Sequence, residues 1–195
     1  MGIVASSHVT ATGAVILNDP MEALTNWSPT SGCSIVAGRN ANGLQLIGSN
    51  TPAYTIPAGP LQSTSMTVQF SYKISDLTAF RNVFQFRTAA GVANHLTMRV
   101  NTNGSVTLYN GGITGNVLGT GSTGMIVVGT WYTFKLVAVM TSSGSAVFSV
   151  NGTPQVSVSG VDCSGGNASA TDTLVLMGPG AGPTSIFDDF LATTP

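Results

Sequence analysis

Two adjacent carboxylates, Asp188 and Asp189, sit inside the apolar run Ile186 to Leu191 near the end of the chain. They are two of only seven acidic residues, so their chemistry comes first. Glycoside hydrolysis needs a carboxylic acid and a second carboxylate about 5–9 Å apart. Neighbours on a strand point to opposite faces, so Asp188 and Asp189 are predicted not to form such a pair. The single Glu, Glu22, falls beside Asp19 in a predicted N-terminal loop, and no E-x-D-x-E pattern occurs. Asp76 stands alone, and Asp162 and Asp172 flank a loop. Three uses of the aspartate pair remain. One aspartate faces the core side with Ile186 and Phe190, accepting backbone N–H groups or pairing with Arg39, and so sets the register of the last strand. Alternatively the pair joins a Ca²⁺ site, which needs six to eight oxygens, or both are solvated at an edge. The first is preferred, because the other oxygen ligands of a calcium site cannot be identified.

Other reactive groups are scattered. His8 lies in an N-terminal arm, His95 opens a strand, and no G-x-S-x-G elbow accompanies them. Two His and two isolated Cys include no close-spaced pair for zinc. Cys33 and Cys163 allow either one long-loop disulfide or two buried thiols; with no signal sequence at the start, the thiols are favoured. The chain is therefore predicted to be no enzyme, with no catalytic, cofactor-binding or metal-binding residues and no cofactor.

The elements that carry these residues alternate with a period of two. In "TVQFSYKI" Val68, Phe70, Tyr72 and Ile74 are apolar and the intervening residues polar, the pattern of a strand with one face in a core. The pattern returns with Phe84 and Phe86; with Leu96, Met98 and Val100; with Tyr132, Phe134, Leu136 and Met140; and with Phe148, Val150, Val156 and Val158. Asn103-Gly104 and Asn151-Gly152 separate such runs, and Asn-Gly tolerates the positive φ angles of a type I′ hairpin. Gly144 marks a third hairpin. The Gly-rich stretch 111–124 reads as a long loop with one short edge strand, since it lacks the Gly-Lys-Ser/Thr ending of a phosphate loop. Short strands with frequent turns predict an all-β, antiparallel two-sheet β-sandwich. Residues 1–13 are read as an arm and 14–195 as the sandwich domain.

Composition narrows the partners. Charged residues are 7 % of the chain and the formal net charge is −1. Six bases spread from Arg39 to Lys135 make no face for nucleic acid. No apolar segment is long enough for a membrane helix, and no signal peptide is read at the start.

Several segments in order carry a resemblance: Asn26-Trp27, "VAGRNANGLQL" from Val36 to Leu46, "WYTFKL" from Trp131, "VFSVNG" from Val147, and "IFDDFL". The order resembles the concanavalin A-like jelly-roll superfamily, particularly laminin-G-like modules of lectins and bacteriophage structural proteins, over residues 15–192. The resemblance implies a jelly roll whose closing strand returns beside the first. Trp131, at the start of a core strand, is expected to pack inside. Trp27 is the better candidate for an exposed ring, and Tyr54 and Tyr109 are the other possible sugar platforms. Arg39 is expected to pair with a carboxylate or carbonyl near the chain end.

The leading expectation is a non-enzymatic bacteriophage virion protein: a capsid decoration, head-fibre or tail-associated module acting through protein–protein contacts. Its partners would be other virion proteins, or itself as a homo-oligomer, and its place the virion assembled in the host cytoplasm. A surface poor in charge suits contacts with little charge desolvation. The alternative is a carbohydrate-binding module or lectin, holding a host-surface glycan in loops at one end of the sandwich or on its concave face.

Overall fold

The computed structural model describes residues 13–88 and 93–195. His8 and the arm up to residue 12 lie outside the described residues. The strands in chain order are β1 (Val15–Asp19), β2 (Cys33–Ala37), β3 (Asn42–Gly48), β4 (Ala53–Thr55), β5 (Ser65–Ile74), β6 (Arg81–Thr88) and β7 (Ala93–Val100). They continue with β8 (Val106–Asn110), β9 (Val117–Thr120), β10 (Tyr132–Val139), β11 (Gly144–Val150), β12 (Thr153–Val161), β13 (Thr173–Leu176) and β14 (Gly180–Thr193). Among the described residues there is no helix.

One sheet runs β12-β11-β10-β5-β14-β3-β2, with β1 also paired to β14; the other runs β4-β13-β6-β7-β8-β9. The strand pairs are antiparallel. The architecture is thus the predicted two-sheet β-sandwich, a jelly roll. The long closing strand shares one edge between β3, which meets residues 180–187, and β1, which meets residues 190–193.

Alternation decides the core. Val68, Phe70, Tyr72 and Ile74 of β5 are all buried, as are Tyr132, Phe134, Leu136 and Met140. They meet Phe84, Phe86, Leu96 and Met98 from the opposite sheet in one cluster. Phe70 is the hub: its ring lies 5.6–5.9 Å from Phe84, Phe134, Phe187 and Phe190. Each such ring contributes about 1.5–3 kcal/mol by leaving water.

Both Asn-Gly hairpins form, with different turns. Asn151 (φ 49°) and Gly152 (φ 82°) are both left-handed between paired Val150 and Thr153, as a type I′ turn requires. At the other, Gly104 alone is left-handed (φ 72°); Gly104 N–H donates to Asn101 O and Asn101 N–H to Ser105 O. That is a longer loop ending in a left-handed glycine, and it replaces the expected two-residue turn. Gly144 opens β11 after the third predicted turn, and β9 is the short strand within the Gly-rich stretch.

Of the register shifts between paired strands, two bear on the candidate site. In β14 the register shifts between Asp188 and Leu191, and Asp189 takes a left-handed φ of 51°. Phe187 and Phe190, three positions apart, are therefore both fully buried. This corrects the expectation that Ile186, one aspartate and Phe190 share the core face: Ile186 pairs with Lys73, whereas Phe187 faces inward opposite Tyr72. In β6 the register shifts between Asn82 and Phe84, leaving Val83 as the additional residue.

Both cysteines are free thiols, Cys163 buried and Cys33 only half-buried. Burial pushes the Cys163 thiol up to about 11, with the Asp162 carboxylate adding to the effect, and burial also raises Cys33. Neither thiol has the lowered pKa of a reactive cysteine.

Candidate functional site

The aspartate pair turns out to be a latch. Asp188 is buried on the side of its sheet away from the phenylalanine core, paired across the strands with Ser71. Its Oδ2 accepts the backbone N–H groups of Arg39 (2.7 Å) and Asn40 (3.3 Å), and its Oδ1 accepts Asp189 N–H (2.8 Å). Asp189, exposed at the bulge, accepts Asn40 Nδ2 at 2.6 Å. Both aspartates hold the same turn between β2 and β3, because the bulge overrides the opposite-face expectation. Burial raises the Asp188 carboxyl above the usual range; the Arg39 N–H opposes this, and the Asp189 charge adds to it. Among the described residues no carboxylate pairs with the Arg39 side chain. Its guanidinium donates to Thr133 Oγ1 (2.7 Å) and Ser71 Oγ (3.3 Å) instead.

Other carboxylates are likewise engaged. Asp19 accepts Met21 N–H, Asn26 Nδ2 and Trp27 Nε1. Glu22 accepts Asn42 Nδ2 at 2.7 Å, and Asp172 accepts the Thr173 hydroxyl at 2.7 Å. Asp162 accepts both the hydroxyl and the N–H of Ser164, and the Ser164 hydroxyl in particular holds its carboxyl below the usual range. His95 is fully buried and donates Nδ1–H to the Ser164 carbonyl at 2.7 Å. The serine hydroxyl is thus directed at a carboxylate and the imidazole at a carbonyl, which is not the arrangement of an activated nucleophile. Among the described residues no group of three or more His, Cys, Asp or Glu gathers as a metal site.

The expected sugar platforms are displaced. Trp27 is 2 % exposed, with its ring edge-on to Phe190 at 5.2 Å. Tyr109 is buried beneath Arg99, and Tyr54 is half-buried beside Trp27. Trp131 was expected in the core. It lies just before β10, half-buried, with Lys73 Nζ 4.7 Å from its ring centre, and Tyr132 is the inward residue.

The outer side of the six-stranded sheet carries a polar ladder that satisfies itself. Gln85 donates to Thr97, Thr97 to the Gly111 carbonyl, and Asn101 to Thr107. Gln85, Thr97 and Thr107 are all buried, so they offer a ligand little.

One end of the sandwich differs. Loops 49–52, 75–80, 101–105, 121–131 and 177–179 meet there, joined by Gly178 N–H to Asn50 O, Ile126 N–H to Gly104 O, and Gly129 N–H to Ile74 O. Of the exposed large apolar side chains, Ile47, Phe80, Val127 and Val128 lie at or beside these loops. A pocket of about 310 Å³ is lined by Ser49, Thr51, Phe80, Asn82 and residues 177–180. A second, of about 260 Å³, is lined by Lys73, Ser75, Gly129 and Thr184.

The bulge at Val83 builds the first pocket. Counted by twos, Phe80 and Asn82 share the phase of core residues Phe84 and Phe86. The additional residue reverses that phase, leaving the Phe80 ring 48 % exposed and Asn82 opposite Arg99. Asn82 Oδ1 is buried and, among the described residues, has no hydrogen-bond partner. The Arg99 guanidinium lies 4.9 Å from the Phe80 ring and 4.6 Å from the Tyr109 ring. Beside it Arg81 pairs with Asp76 at 2.9 Å. The Thr78 hydroxyl first, then its N–H, hold the Asp76 carboxyl below the usual range, with a smaller contribution from Arg81. An apolar ring, an unsatisfied acceptor and nearby hydroxyls together suit a polar ligand with a flat apolar face. Alternation alone hid Phe80; the turn-forming "SDLTA" before it was the available signal.

No protein-family model matches this chain, and no curated protein matches it in sequence. Solved structures do share its fold. Over 92 % of its length the chain is similar to the binding domain of botulinum neurotoxin DC, solved with rat synaptotagmin II, at TM-score 0.66 and 10 % identity. It covers 48 % of that chain and so spans about half the length of that binding domain. A carbohydrate esterase of the Shiga toxin-encoding bacteriophage phi24B is similar at TM-score 0.63 and 16 % identity, with 93 % of this chain and 99 % of that one covered. A Bacillus subtilis protein with a galectin-like fold gives TM-score 0.60 and 13 % identity, covering 93 % and 96 %. At these identities the likeness establishes a galectin-like jelly-roll sandwich.

Proposed function

We propose that this chain is a non-enzymatic recognition module that holds a glycan at its loop-bearing end. One observation carries the reading: the exposed Phe80 ring and Asn82, whose Oδ1 has no partner among the described residues, line one pocket. A sugar places its C–H face on an aromatic ring and donates hydroxyls to buried acceptors. Binding and carbohydrate-active proteins among the structures of similar fold support it. Absence of catalysis is part of the proposal, since each of the seven carboxylates already accepts from a protein donor. A glycan array probed with the parent and with Phe80→Ala and Asn82→Ala tests it. Binding should fall in both variants while their melting temperatures stay near the parent's. Release of acetate from acetylated glycans, abolished by His95→Ala, would overturn the non-enzymatic part.

A second reading places the module on a bacteriophage virion, among capsid or tail proteins, with host glycans as its target. It is favoured by the charge-poor surface and by the phage esterase matched along 99 % of its chain. Co-sedimentation with empty phage heads or tails tests it, and a protein that stays in the supernatant with both counts against it.

A further inference from the structure

We infer that the ligand of the loop-bearing end is an acidic glycan whose carboxylate or sulfate groups are read by Lys73 and Arg99. This rests on the glycan reading above and adds the chemical class of the sugar.

Charge in this molecule is scarce and unevenly placed. Of six bases and seven acids in the chain, the end with the two pockets holds three bases, Lys73, Arg81 and Arg99, and one acid, Asp76. It carries a surplus of two positive charges, whereas the remainder carries three bases and six acids. Asp76 is committed to Arg81. Among the described residues no carboxylate lies within ion-pair distance of Lys73 or Arg99.

Both free cations are held in place by rings. Lys73 Nζ rests on Trp131, and the Arg99 guanidinium rests between Phe80 and Tyr109. Ring stacking restricts a long side chain without consuming its N–H donors. Arg99 uses Nε on Asn101 Oδ1 at 3.0 Å, and no protein acceptor is found for its two terminal nitrogens among the described residues. A half-buried guanidinium with its fork unfilled matches a carboxylate or sulfate in two parallel hydrogen bonds. A neutral sugar would leave that charge unanswered. Lys73 lines one pocket, whereas Arg99 lines neither and stacks on Phe80 of the other; the two pockets share no lining residue, so a ligand that meets both cations spans more than one sugar unit.

The test titrates the full chain by calorimetry against three acidic probes, each beside a neutral match: polygalacturonate and its methyl ester, a sialyl-lactose polymer and its asialo form, and dextran sulfate and dextran. At least one acidic probe should bind about tenfold or more tightly than its match, the scale of one charge-assisted contact. Raising sodium chloride from 50 to 300 mM should weaken it. Arg99→Gln and Lys73→Gln should each lower affinity by about tenfold, whereas Arg99→Lys, which keeps the charge and loses the fork, should restore only part of it, and thermal melts should show all three variants folded. Equal, Phe80-dependent binding of an acidic probe and its match would overturn the acidic class and leave the glycan reading standing. No binding to any of the six probes overturns this inference. Binding instead to phosphatidylserine-containing vesicles, with no glycan bound on the array, would overturn the glycan reading as well and assign this end to a lipid surface.

Discussion

In β14 the alternation breaks at Asp189, and in β6 it breaks at Val83, each time by one additional residue. At the first, the buried Asp188 is closed over by the 38–41 turn, and its oxygens accept three N–H groups. At the second, no turn closes over the exposed residues: the Phe80 ring faces solvent and Asn82 Oδ1 is left without a partner among the described residues. The same backbone irregularity thus makes a latch in one place and an open pocket in the other. What separates them is whether hydrogen-bonding capacity is spent inside the protein. A buried carboxylate left unsatisfied is too costly to keep, whereas an unsatisfied amide oxygen at a rim can be held for a ligand.

Phe190→Ala should have the largest effect, because the bulge turns this ring fully inward, where it packs against Phe70 and Trp27. The loss should be about 3–5 kcal/mol, the cost of emptying a phenylalanine site, read as a drop in the urea midpoint. A variant as stable as its parent would mean that the bulge does not hold Phe190 in the core. Asp188→Ala follows at about 1–3 kcal/mol, since it strands the N–H groups of Arg39, Asn40 and Asp189.

Next comes a pH effect with a definite sign. Because burial raises the Asp188 carboxyl in the folded state, its contribution to stability is fully present below the ordinary carboxylate value of about 3.9. That contribution is lost as pH rises through the raised folded value. Relative to Asp188→Asn, which does not titrate, the parent should therefore gain stability as pH falls through that window. Paired denaturation curves from pH 7 to pH 4 check this, and a constant difference would contradict it.

Phe80→Ala should be the mildest, changing stability by no more than about 0.5 kcal/mol, as expected for an exposed side chain at a rim. A large loss of stability there would make Phe80 a structural residue and weaken the contrast between the bulges. EDTA should leave the melting temperature of the parent unchanged, because N–H donors already occupy the oxygens a calcium site would need.

Much of this was legible in the residues. Period-two alternation in β5, β7, β10 and β11 determined those strands and the inward set from Val68 to Phe148, because side chains on a strand face opposite ways whatever they pair with. The Asn151-Gly152 turn was equally local, since Asn and Gly are the residues that accept its two left-handed angles. The bulges were not legible. A bulge is a mismatch between two paired strands, so its position depends on the partner's register as much as on the residues it displaces. Trp27 and Trp131 changed places for a similar reason. Trp27 is buried because Asp19, eight residues away, accepts its Nε1 at 2.8 Å beneath the closing strand, whereas Trp131 stays at the rim under Lys73 from another strand. Alternation along one strand determined which residues were eligible for the core. Only the docking of strands distant in the chain decided which of them stayed there and which were left at an open end to meet a ligand.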